Sequence, residues 1–79
     1  LGANLIAPMS GKIAEVKVIK GDTVNKGDVL LVLESMKMYQ ELMAQQDGLV
    51  TGVYIKPNQQ VEVDMPLIDI VTNEQANDE

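Results

Sequence analysis

At 79 residues the chain is a single domain, and one this short buries only roughly 60% of the surface its unfolded form exposes. It has neither Cys nor His, which excludes a disulfide framework, leaves a metal ion only carboxylates, and removes most pairings of nucleophile and base, so the chain is expected to be a non-catalytic unit. A net charge of -6 excludes the positive stripe that nucleic acid needs, and the longest apolar run, Val29 to Leu33, falls far short of the roughly 20 residues of a membrane helix.

From the N-terminus, Ala7-Pro8-Met9 followed by Gly11 marks a turn into a first extended segment over residues 12–19. Gly21-Asp22 and Gly27-Asp28 punctuate the approach to a second, 29–35, which is almost wholly apolar. A third, 38–44, ends at Asp47-Gly48; a fourth, 48–56, ends at Pro57-Asn58. After Asp64, Pro66 stands at the start of a fifth, 67–71, where its missing N–H is tolerated. The core residues are β-branched or aliphatic, with Tyr39 and Tyr54 the only aromatics, and no segment has a helical period. Residues 73–79 contain no apolar residue larger than Ala and are expected to be a disordered acidic tail to a domain spanning 5–72. The start at Leu1 is read as a domain taken from a longer polypeptide.

Shifting the sequence by 37 positions lays residues 6–34 on 43–71 without a gap. Ala7, Gly11, Val16, Val24 and Leu30 meet Ala44, Gly48, Val53, Val61 and Leu67, while Ile13, Val18, Leu31 and Leu33 meet Val50, Ile55, Ile68 and Ile70. Gly21 and Gly27 meet Asn58 and Asp64, the residue types other than glycine that best tolerate positive φ, so a backbone requirement survives where identity does not. The repeat predicts an all-β fold, a flattened barrel or sandwich built from two matching antiparallel units.

Between the two copies lies only the stretch 35–42, which opens on Ser35-Met36-Lys37-Met38 directly after Glu34. A lysine on a tight hairpin serves solubility without further comment, but two methionines beside it gain nothing from water unless another surface reads them. Lys37 is therefore the candidate modification site.

A lysine between methionines, on a hairpin midway through a repeated all-β domain, resembles the biotin attachment domains of the biotin carboxyl carrier family. The resemblance covers residues 5–71 and includes Ala7-Pro8-Met9, Gly11, Gly21-Asp22, Gly27-Asp28 and Asp47-Gly48. It implies covalent biotin on Lys37, installed by a biotin protein ligase that recognises Glu34, Ser35, Met36 and Met38. It implies further that the biotin shuttles carboxyl between biotin carboxylase and carboxyltransferase partners in the cytoplasm, or in the mitochondrial matrix of a eukaryote. Ser35 stands where such domains most often have Ala, and no long insertion precedes the hairpin, so the protruding thumb of some acetyl-CoA carboxylase carriers is not expected.

Two other readings fit the same pattern. Lipoyl domains share the barrel but typically carry Asp-Lys-Ala at the tip, and an unmodified β module would use the hairpin only for protein contact. Glu34 and Glu41 are read as solvated strand-edge charges, Glu62 and Asp64 as loop charges without a further ligand set, and Tyr39 as either covering the hairpin or meeting the ligase.

Overall fold

A computed structural model describes residues 3–72. Among these are eight strands and no helix: β1 (Ala3–Ile6), β2 (Gly11–Val16), β3 (Thr23–Val24), β4 (Val29–Ser35), β5 (Met38–Met43), β6 (Gly48–Val53), β7 (Gln60–Val61) and β8 (Pro66–Thr72). They form two four-stranded antiparallel sheets, ordered β1-β8-β6-β3 and β5-β4-β2-β7. The all-β sandwich expected from the repeat is present. The proposed tail, 73–79, lies outside the described residues.

The 37-residue repeat is written into the ladders. Lys12 opposite Glu34 and Ile13 opposite Leu33 recur as Leu49 opposite Val71 and Val50 opposite Ile70, with the same bulge one residue further on in each. The turn bonds repeat as well: the Asn58 N–H donates to Ile13 O as the Gly21 N–H donates to Val50 O. The correspondence also reaches beyond the stretch legible in sequence, because β1 pairs with β8 in the register in which β5 pairs with β4. Strand β1 is the second copy's last strand, supplied from the other end of the chain.

The copies do not pack as two separate units. Strand β3 of the first copy joins the sheet of β6 and β8, and β7 of the second joins β2 and β4, so each sheet is completed by its neighbour. Between the sheets lie Ile13, Leu30, Leu31 and Leu33 with their counterparts Val50, Leu67, Ile68 and Ile70, all buried, and no charged or polar side chain is buried among the described residues. A two-residue strand stays in place because its single inward residue, Val24 or Val61, is part of that core.

Gly21, Gly27, Asn58 and Asp64 all have positive φ, of 101°, 93°, 73° and 71°, as the glycine-to-Asn and glycine-to-Asp exchange predicted. Gly11 and Gly48 are needed for a different reason. A Cβ on either would come within 2.4 Å of a backbone oxygen, Glu34 O or Val71 O respectively.

Candidate functional site

Strands β4 and β5 are joined by two residues, with Ser35 opposite Met38. Met36 and Lys37 fill the turn at φ of 53° and 67°, the double left-handed conformation of a type I′ hairpin, where Asn-Gly is the usual occupant. For residues with a Cβ this conformation costs roughly 1–2 kcal/mol each. The ladder from Glu34–Tyr39 down to Val29–Met43, with Leu31 and Leu33 fixed in the core beneath it, holds the turn closed.

So short a turn leaves no loop to fold back over the lysine. Lys37 is exposed, and its amine has no hydrogen-bond or ion-pair partner among the described residues. Met36 is 92% exposed and Met38 72%, so both thioethers stand in water on either side of it. Tyr39, next along β5 and opposite Glu34, is 68% exposed.

Ser35 is half-buried at the base of the turn. Glu34 is on β4, an interior strand, and its carboxylate faces the Lys12 ammonium at 4.0 Å. Of the two acids read as edge charges, only Glu41 is on an edge strand; Glu34 is a cross-strand partner. Glu62 accepts a hydrogen bond from Ser10 Oγ at 3.3 Å, and Asp64 occupies a left-handed turn position. No group of three or more acidic side chains that could hold a metal ion occurs among the described residues.

The sequence reading missed the neighbours of the hairpin. Ser10, Lys12 and Gln60 border an open groove of about 410 Å³ whose far wall is Glu34, Ser35, Met36 and Lys37. Lys12 reaches it from β2 and Gln60 from β7, so no local run of sequence contains the groove. The repeat held a signal nonetheless, since Lys12 and Gln60 correspond to Leu49 and Thr23 and so depart from the two-fold pattern at this end.

Away from the hairpin the two copies brace their outer faces differently. In the first, the Lys17 ammonium meets Glu15 at 2.9 Å; the hydrogen bond and charge of Glu15 raise the Lys17 pKa. In the second, Tyr54 Oη donates to Asp69 Oδ2 at 2.5 Å, and that bond raises the Tyr54 pKa. The Tyr54 ring lies over Gly52, where a Cβ would come within 2.6 Å of the hydroxyl.

Residues 3–70 match the family described as biotin-requiring enzyme. The chain is 41% identical over 64 residues to a biotin carboxyl carrier protein of Streptococcus mutans, covering 81% of this chain and 49% of that one. It is 42% identical over 55 residues to a biotin-dependent acyl-coenzyme A carboxylase alpha3 subunit of Mycobacterium leprae, covering 70% of this chain and 9% of that one. A single-chain, multi-domain long-chain acyl-CoA carboxylase has a solved structure that superposes with a TM-score of 0.86 at 30% identity, over 91% of this chain and 7% of that one. The chain thus spans half or less of the length of these relatives.

Proposed function

The chain belongs to the biotin-requiring-enzyme family, and from that premise we propose that it is a biotin carboxyl carrier domain with biotin in amide linkage on Lys37. The observation that carries the assignment is the hairpin: an amine with no partner among the described residues at the tip of a two-residue turn, with Met36 and Met38 exposed on both sides. A biotin protein ligase reads Glu34, Ser35, Met36 and Met38. The Lys37 amine, once deprotonated, displaces AMP from biotinyl-adenylate.

The residues fit the group. Its attachment needs a free amine that a second active site can enclose, and nothing among the described residues shields Lys37. Bound there, biotin supplies a ring nitrogen that accepts a carboxyl group at one active site and gives it up at another. The protein's own part is mechanical. The β4–β5 ladder, anchored in the core by Leu31 and Leu33, keeps the attachment point rigid, and tethering raises the local concentration of the ring at each active site, up to the millimolar range for short flexible links.

The partners are a biotin carboxylase and a carboxyltransferase, in the same polypeptide or as separate subunits, working in the cytoplasm or the mitochondrial matrix. No helix among the described residues is long and apolar enough to cross a membrane. The lipoyl alternative shares the fold, but Met36 and Met38 stand where that family typically has Asp and Ala. Incubating the purified chain with a biotin ligase and, separately, a lipoate ligase, then measuring intact mass, tests the assignment. One biotinyl group and no lipoyl group is the expected result; lipoylation alone, or no addition to a folded chain, contradicts it.

A further inference from the structure

Directly beneath the hairpin, Glu34 of β4, Lys12 of β2 and Gln60 of β7 stand opposite one another in a row across the sheet. Lys12 and Gln60 are exposed while their neighbours Ile13 and Val61 are buried, which puts the row on the outer face. The two-fold partner of this row, at the other end of the molecule, is Val71, Leu49 and Thr23. The fold therefore does not require a carboxylate, an ammonium and a carboxamide here; the same backbone positions hold two aliphatic residues and a threonine where there is no lysine-bearing hairpin.

The polar groups are also largely unspent. The Lys12–Glu34 contact is long, at 4.0 Å, with side chains 49% and 30% exposed, and an exposed pair of this kind contributes little by itself. The Gln60 carboxamide has no hydrogen-bond partner among the described residues. Gly11, beside Lys12, leaves bare backbone in the groove, and Lys37 is part of the groove's wall.

We propose that this groove is a resting site for the biotin ring carried on Lys37 of the same molecule. A cyclic urea has two N–H donors and one carbonyl acceptor. The Glu34 carboxylate and the Gln60 carboxamide oxygen accept from the N–H groups; the Lys12 ammonium and the Gln60 NH₂ donate to the carbonyl. A charged partner raises the strength of such bonds roughly twofold over neutral ones. Because Lys37 borders the groove, docking is intramolecular and needs little affinity to be populated. The ring rests against its own carrier between visits and leaves it for a partner active site. This inference depends on Lys37 being the biotinylated residue.

The test compares amide NMR spectra of the isotope-labelled chain before and after enzymatic biotinylation, with intact mass establishing one biotin per chain. Shifts extending past the hairpin to Lys12 and to the Gln60 side-chain amide, with through-space contacts from ring protons to both side chains, are expected. The backbone amide shifts at positions 12 and 60 should vanish in the double variant Lys12→Leu, Gln60→Thr, which places at these two positions the residues found in the row at the opposite end. Complete biotinylation with shifts confined to residues 35–38 overturns the resting site, as do shifts at the row that persist in the double variant. Shifts at the row only on addition of the ligase assign it to a partner instead and also overturn it. A chain that stays unmodified by mass fails the carrier assignment itself, and the resting site with it.

Discussion

Met36 and Lys37 occupy consecutive left-handed positions, at φ of 53° and 67°, in a turn where neither residue type is at ease. A scaffold selected for stability alone would have Asn or Gly at the first of them. The other two non-glycine residues with positive φ, Asn58 and Asp64, are of types that tolerate it.

Replacing Met36 by Asn should therefore stabilise the fold, by about 0.5–1 kcal/mol from relief of the left-handed strain, while slowing biotinylation. Urea unfolding and a timed ligase assay read the two effects separately. A variant that is both more stable and modified at the unaltered rate would remove Met36 from the recognition set.

Gly11 and Gly48 are two-fold mates with the same obstruction, a backbone oxygen 2.4 Å from a Cβ. Alanine at either should destabilise by roughly 1–3 kcal/mol, the usual range for overpacking. Only Gly11→Ala pushes on Glu34, the residue before Ser35, so it should also slow labelling of Lys37 under conditions where both variants remain folded. Equal labelling rates would mean that the hairpin is insulated from the strand end that supports it.

The outer-face braces make stability depend on alkaline pH. Hydrogen bonding to Asp69 raises the folded-state pKa of Tyr54 above its ordinary value of 10.0, and Glu15 raises that of Lys17 above 10.5. A raised folded pKa favours the protonated form in the native state. Its contribution is fully present below the unfolded pKa, about 10 for Tyr, and is lost as pH rises through the raised value. Unfolding midpoints measured from neutral pH upward should fall above about pH 10, with a shallower fall in Tyr54→Phe and in Lys17→Met. Identical slopes in all three proteins would show that neither bond persists in solution.

Much of this architecture was legible because burial leaves a pattern. The apolar run that became β4 was read with its bounds, 29–35, and the Gly-to-Asn and Gly-to-Asp exchanges correctly marked four left-handed turns. Segments 12–19 and 48–56 were read too long for one shared reason. Val18 and Ile55 continue the alternation into the core after the ladders have ended at Val16 and Val53; alternation reports burial, and pairing stops sooner.

Strands β3 and β7 have two residues each, too few for any period, and β1 was missed because its partner β8 is at the other end of the chain. The tip of the site was visible in one local motif, Met36-Lys37-Met38. Its surroundings were not, since Lys12, Glu34 and Gln60 meet only through a pairing that β7 makes across the sheet.

Which lysine is modified decides the carrier assignment most directly. The six basic residues are all lysines, so mass spectrometric mapping after exhaustive treatment with a biotin ligase and ATP offers the enzyme every choice. One biotin on Lys37, and none on a folded Lys37→Arg variant, is the result predicted here. Biotin on Lys12 or any other lysine, or undiminished labelling of the Lys37→Arg variant, would contradict it.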